Sequence, residues 1–239
     1  MSDAIDQFSD EAIERYARQL VLPEIGVEGQ LALGAAEAVI IGCGGLGANA
    51  ALALAQAGLG RLRLYDPDRV ELSNLHRQPY RVQQVGQPKA QALAELCRKR
   101  NPDVAVDVHI ETFNGQSKTA LWLDCSDSDT SRRAIDAARG PHTELIHGAV
   151  IGMDAQVTVI PPGTAGFTTL FPTLPQANGR QRCADQGVLG PLANMVAHLM
   201  AAEALKLAQG QRSPLAERIL LIDARDWRFF SLQKPLQQG

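Results

Sequence analysis

Residues 38–47 read AVIIGCGGLG, run on through ANAALALAQAG, and are followed at 61–68 by RLRLYDPD. The first run is a short apolar strand, the alanine-rich stretch is a helix ending near Gly58, and RLRLYD alternates as a second strand. Between strand and helix stand Gly42, Gly44 and Gly47 in G-x-G-x-x-G spacing, with Gly45 inside the same turn. Gly42 permits the tight turn, Gly44 lets backbone approach a phosphate, and Gly47 allows the helix to pack closely on the strand. The helix that follows offers free N–H groups and the positive end of its dipole to an anion. Asp66 closes the second strand, close to where an acidic residue meets ribose hydroxyls. This segment points to an α/β sheet with a phosphate-binding turn; a glycine-rich turn such as any α/β protein can carry is the competing reading.

The rest of the chain fits that frame. Residues 1–36 read as an N-terminal helical arm, with Ser9 or Asp10 as a cap, a turn at LPEIG and a short second helix. VGQPKAQALAELCRKR is a helix stopped by Asn101-Pro102, VAVDVHIE and ALWLDCSD are strands, and DTSRRAIDAARG is a helix. TELIHGAVIGMDAQVTVIPP reads as two strands, PLANMVAHLMAAEALKLAQG as a long helix, and ERILLIDARDWRFFSLQK as a closing strand pair. Residues 163–190 are aperiodic and rich in Gly, Pro, Thr and Asn, a loop. Helices alternating with strands predict a Rossmann-like, doubly wound, mostly parallel sheet, with the late strands adding antiparallel pairs, in one domain over 1–239.

Composition narrows the partners. A net charge of −3 argues against a nucleic-acid surface, which would show clustered Lys and Arg. The acidic start MSDAIDQFSDEAIERY is neither a signal peptide nor a transit sequence. The most apolar helix is cut by His198, Glu203 and Lys206, so no membrane span is expected. Cys43, Cys97, Cys125 and Cys183 are scattered with no C-x-x-C pair, which favours a reduced, cytoplasmic setting over a disulfide framework.

The stretch DPDRVELSNLHRQ at 66–78 is dense in polar and basic groups. Asn74, Arg77 and then Lys89 can line the mouth of the crevice in which such sheets bind ligands. Two cations beside a glycine-held phosphate chain suit a triphosphate better than a dinucleotide. Asp124 and Asp127, at the end of LDCSDS, are carboxylates at a strand edge facing phosphates, the usual setting of a Mg²⁺ ligand.

These segments resemble the ThiF/MoeB/HesA family of bacterial activating enzymes, relatives of the ubiquitin-activating enzymes. The resemblance is carried by RYARQLVLPEIGVEGQ, VIIGCGGLG, DPDRVELSNLHRQ, VGQPKA, LDCSD, HGAVIGMDAQVTV, CADQGVLGP and AAEALKL, over residues 12–231. It implies an ATP- and Mg²⁺-dependent adenylyltransferase that activates the C-terminal glycine carboxylate of a small ubiquitin-like sulfur carrier ending in Gly-Gly, releasing pyrophosphate. By position, Asp66 would hold the ribose, Asn74, Arg77 and Lys89 the phosphates, and Asp127 the Mg²⁺. Arg18 would reach across a homodimer interface to the partner's ATP. GVLGP and DWRFFSLQK lean toward a ThiS-like carrier of thiamine biosynthesis; a MoaD-like carrier of molybdenum cofactor biosynthesis is the alternative, and a sulfurtransferase is a further partner. A carboxylate nucleophile is already ionised at neutral pH, so the absence of a His–Ser or His–Cys pair agrees with this chemistry. His76 is expected to be a polar wall residue, and His147 and His198 ordinary packed or partly exposed histidines.

The chain departs from the family in two respects: the residue after Asp127, usually Asn, is here Ser128, which bears on ribose or loop contacts, and the zinc ligands are missing. Relatives carry two C-x-x-C pairs that bind zinc; here Gly166 and Thr169 stand at the first, and PLQQG ends the sequence before the second. No zinc is therefore expected. Cys183, in the crossover loop at 163–190, occupies a position where some relatives form a covalent link to the carrier, and Arg182 beside it favours a thiolate; an inert cysteine is the competing reading. Cys43 reads as a spacer, and Cys97 and Cys125 as buried small residues. Two other classes compete: an NAD-dependent oxidoreductase, on the glycine turn alone, and a non-catalytic carrier-binding scaffold.

Overall fold

A computed structural model describes residues 2–172 and 187–235. The arm is three helices, α1 (Ser2–Ile5), α2 (Asp10–Leu20) and α3 (Gly26–Ala35). Ser9 caps α2, its Oγ accepting the Ala12 N–H at 3.2 Å. The strands are β1 (Glu37–Ile41), β2 (Arg61–Tyr65), β3 (Ala105–His109), β4 (Leu121–Asp124), β5 (Glu144–Ile151), β6 (Asp154–Ile160), β7 (Arg218–Asp223) and β8 (Arg228–Gln233). The longer helices between them are α4 (Gly47–Gln56), α5 (Lys89–Arg100), α6 (Asp129–Ala137) and α8 (Gly190–Ala208), with a one-turn helix α7 (Phe167–Leu170) inside the stretch expected to be pure loop. The α7 turn forms because Phe167 buries itself in the core. The α5 helix starts only at Lys89, since Gly86 is left-handed and Pro88 precedes the first turn.

All eight strands share one sheet in the order β3-β2-β1-β4-β5-β6-β7-β8. Pairing is parallel from β3 to β5 and antiparallel from β5 to β8. The expected mixed, mostly parallel sheet is present, and β1 and β4 are adjacent although consecutive in neither direction along the chain. That reversal of strand order opens a crevice above their carboxyl ends. Ile41 of β1 is paired with Tyr65 on one side and Asp124 on the other, so the segments leaving β1, β2 and β4 emerge together.

Each face has its own apolar core. One is built by α4, α5 and α8 on Ala38, Ile40, Leu62, Leu64, Ile146 and Val157. The other joins Val39, Ile41, Trp122 and Leu145 with Ile135 of α6 and Phe167 of α7. The alanine-rich face of α8 lets it approach closely: a Cβ added to Gly148 of β5 would stand 2.3 Å from Met200 Sδ. The closing strand β8 is exposed on both faces, with Phe229, Phe230 and Leu232 about half uncovered. Among the described residues no helix is long and apolar enough to cross a membrane.

Candidate nucleotide site

The glycine turn is held in place by its surroundings. Gly42 is left-handed (φ 91°), and a Cβ there would meet the Cys125 carbonyl oxygen at 2.9 Å. A Cβ on Gly47 would stand 1.8 Å from the Gly42 oxygen, so only glycine lets α4 start this close to β1. At Gly44 the space is open except for the Gln78 amide nitrogen, 3.9 Å from where a Cβ would stand. The turn therefore offers bare backbone at the place where the fold accepts a phosphate.

Asp66 is buried and ties the turn to the second strand. Its carboxylate accepts the Cys43 N–H at 2.7 Å and the Asp68 N–H at 2.8 Å. Burial pushes its carboxyl up from the ordinary value, while the nearby Lys89 charge and the two backbone hydrogen bonds pull it back. Lys89, at the start of α5, is buried, and its ammonium meets Asp68 Oδ2 at 2.9 Å. Tyr80 donates to the Cys43 carbonyl at 2.7 Å and clamps the turn from the other side.

The loop after Asp66 folds back over the turn. Asn74 is buried in a short 3-10 turn. The stem of Arg77 lies against Gly45, with Cδ and Cγ each 3.4 Å from where a Cβ would be. Asn49 of α4 fixes this arrangement by donating to the carbonyls of Gly45 (2.7 Å) and Arg77 (3.1 Å) and to Asn194 Oδ1 of α8 (2.9 Å). His76 is exposed, with Nδ1 3.0 Å from the Ser73 carbonyl and Nε2 3.3 Å from the Arg77 guanidinium, as expected of a wall residue. His198 is likewise ordinary, its Nδ1 2.7 Å from the Asn194 carbonyl one turn back on α8.

The two aspartates after β4 separate. Asp127 is exposed, and its side chain forms no hydrogen bond or ion pair among the described residues. Asp124 is completely buried, and both of its oxygens are occupied: Oδ2 by His147 Nδ1 at 3.0 Å, Oδ1 by the Ser126 N–H at 3.1 Å and the Ser126 hydroxyl at 2.6 Å. Burial raises its carboxyl, but the hydrogen bond and charge of His147 and the Ser126 donors outweigh that, leaving it below the ordinary carboxylate range. Asp124 is sealed in the interior by these contacts, whereas Asp127 is open to solvent. His147 is packed, as expected, and is in addition the partner of a buried carboxylate.

Two expected residues stand apart from this group. Arg18 is exposed on α2, which docks at the opposite edge of the sheet. There Gln19 donates to the Ala57 carbonyl (3.0 Å) just past the end of α4, and Asn101, just past α5, donates to the Tyr16 hydroxyl (2.7 Å). Since α4 and α5 both start at the crevice and run away from it, Arg18 lies remote from the glycine turn of its own chain. Cys183 lies outside the described residues. Cys43, Cys97 and Cys125 are buried, and burial pushes their thiols up, Cys97 to about 12. None of the three is a thiolate nucleophile. Among the described residues no group of three or more His, Cys, Asp or Glu is placed to hold a metal ion.

Sequence reading missed Asn49, Tyr80 and His147. Each acts through a contact with residues distant along the chain, and no local spacing signals it.

The ThiF family profile matches residues 16–238. The adenylyltransferase and sulfurtransferase MOCS3 of Arabidopsis thaliana is 40% identical over 225 residues, 90% of this chain and 48% of that protein. The chain spans about half the length of the MOCS3 relatives it matches. The sulfur carrier protein adenylyltransferase of Thermus thermophilus is 37% identical over 240 residues, 95% of this chain and 89% of that protein. Among solved structures, E. coli MccB with succinimide has a TM-score of 0.82 at 20% identity, over 97% of this chain and 73% of that one, which shows a shared fold. With the family profile and relatives of this identity covering nearly all of it, the chain belongs to the ThiF family.

Proposed function

We propose that the protein adenylates the C-terminal glycine carboxylate of a ubiquitin-like sulfur carrier with ATP, releasing pyrophosphate. The observation that carries this reading is the glycine turn at the carboxyl edge of β1, tied to Asp66 and packed by Arg77, with Lys89 paired to Asp68 beside it; Asn74 in the same loop and Asp127 beyond the neighbouring β4 are assigned to the same crevice. Support comes also from the relatives, whose names describe adenylyltransferases.

In this reading the open backbone at Gly44 and Gly45 receives the phosphates, Asp66 the ribose, and Asn74, Arg77 and Lys89 the charge on the phosphate chain. Asp127 holds Mg²⁺, which neutralises phosphate charge when bound. A carrier carboxylate oxygen attacks the α-phosphorus; the new C–O–P bond forms as the bond from the α-phosphorus to the bridging oxygen breaks, and that oxygen leaves with pyrophosphate. No proton moves, so the residues supply position and positive charge rather than a base. Arg18 completes the site from a second copy of the chain, since it cannot reach its own. The carrier we assign is of the ThiS-like type, from GVLGP and DWRFFSLQK.

ATP–pyrophosphate exchange with Mg²⁺ and a carrier ending in Gly-Gly tests the proposal. Exchange dependent on the carrier is expected, faster with a ThiS-like than with a MoaD-like carrier. No exchange with any such carrier would overturn the reading, and tight NADH binding that ATP fails to displace would replace it with a dehydrogenase. Loss of exchange in Arg77→Ala and Asp127→Ala, with carrier binding retained, would set a non-catalytic scaffold aside.

A further inference from the structure

We propose that His147 is a positioning residue of the nucleotide site: through Asp124 it fixes the turn that presents Asp127. Its functional consequence rests on the adenylation reading above, but the contact does not.

Asp124 and His147 occupy paired positions of the adjacent parallel strands β4 and β5, and both are fully buried. Asp124 can serve the Ser126 N–H and hydroxyl through Oδ1 only while its carboxylate holds one rotation, and the donor at Oδ2 that sets this rotation is His147 Nδ1. The imidazole is itself held on several sides. Its Nε2 lies 3.3 Å from the Gln156 amide nitrogen, and the rings of Phe167 and Phe171 lie 4.8 and 5.6 Å away by centroid.

Beyond Asp124 the turn is secured on both sides of Asp127. Arg132 donates to the Ser126 carbonyl at 3.1 Å, and Ser128 caps α6 by accepting the Ser131 N–H at 3.1 Å. The Asp127 side chain has no hydrogen bond or ion pair among the described residues. A buried ion pair adds little net stability compared with apolar residues of similar volume. What the pair supplies that an apolar pair would not is direction, transmitted through the Ser126 turn to the exposed Asp127 that the adenylation reading assigns to the nucleotide site.

The two nitrogens of His147 can be separated by substitution. Asparagine places an amide donor near Nδ1 and keeps the contact to Asp124; glutamine places one near Nε2 and loses it. The test is hydrogen exchange of residues 125–128 and the Mg²⁺ concentration for half-maximal ATP–pyrophosphate exchange, in wild type, His147→Asn and His147→Gln. In His147→Gln the turn is expected to exchange faster and the Mg²⁺ requirement to rise by about tenfold, with His147→Asn within about threefold of wild type. Wild-type behaviour of both variants, equal damage in both, or a faster-exchanging turn with unchanged Mg²⁺ requirement would overturn the proposal. A wild-type protein inactive in pyrophosphate exchange would sink the adenylation reading alone, because hydrogen exchange of the turn still decides whether His147 holds it.

Discussion

The carboxylate of Asp66 accepts the backbone N–H of Cys43 at 2.7 Å, joining the end of the second strand to the interior of the glycine turn. With the Asp68 N–H on its other oxygen at 2.8 Å, one side chain fixes the glycine turn against the loop that leaves β2. In Asp66→Asn one of these N–H groups would face an amide NH₂ instead of an oxygen. A loss of about 1–3 kcal/mol in denaturant unfolding is expected, the cost of an unsatisfied buried donor, together with weaker ATP binding by calorimetry. Unchanged stability would mean that the turn stands without this tether.

Only half of that tether is legible in the sequence. The glycine spacing and the acid at the end of β2 are local features, and the alternation of strands and helices implies the sheet and the crevice at its carboxyl edge. What could not be read was anything that depends on two strands lying in register. Asp124 and Asp127 look alike in LDCSDS, and only the neighbouring β5 decides that one is sealed against His147 while the other faces solvent. The remoteness of Arg18 from its own glycine turn likewise depends on where α2 docks, through Gln19 and Tyr16, and no spacing in RYARQ encodes it.

Two glycines of the turn should fail in different ways. Gly47→Ala forces a Cβ to within 1.8 Å of the Gly42 carbonyl oxygen, a backbone atom that cannot move aside cheaply. Destabilisation above about 3 kcal/mol is expected from such a clash, read by thermal or chemical unfolding. Gly44→Ala meets nothing closer than the Gln78 amide nitrogen at 3.9 Å. That variant should fold like wild type and show its defect in KM for ATP.

Acid should weaken the protein through Asp124. Its folded-state carboxyl lies below the ordinary value of 3.8, so the unfolded chain binds the proton first as pH falls. The stabilisation is complete above that value and is lost as pH drops through it toward the folded-state value. Asp66, raised by burial, has the opposite sign: its contribution declines as pH rises past its ordinary value of 3.8. Asp124→Asn should therefore flatten the loss of stability between pH 5 and 3, roughly the carboxylate range, in denaturant titrations. An unchanged acid limb would show that other carboxylates govern it.

The proposed sharing of the site between two copies has a quantitative signature. Mixing Arg18→Ala with Asp127→Ala protein creates hybrid dimers in which one of the two sites has both residues intact. Random exchange of subunits should restore about a quarter of wild-type exchange activity from two inactive proteins. If Arg18 served its own chain, no mixture would recover.

The pairing of Asp124 with His147 also restricts how this chain can vary in length. Side chains alternate between the faces of a strand, so one residue added or deleted within Leu121–Asp124 would turn the carboxylate toward α8, and one between Glu144 and His147 would turn the imidazole there; either way the partner is left buried and unpaired. Tolerated insertions should accumulate instead in the segments that enter these strands, around residues 114–119 and 139–142, where the chain is largely exposed and forms neither helix nor strand. Descendants of this sequence can therefore lengthen their loops freely, while the spacing from strand to crevice stays fixed.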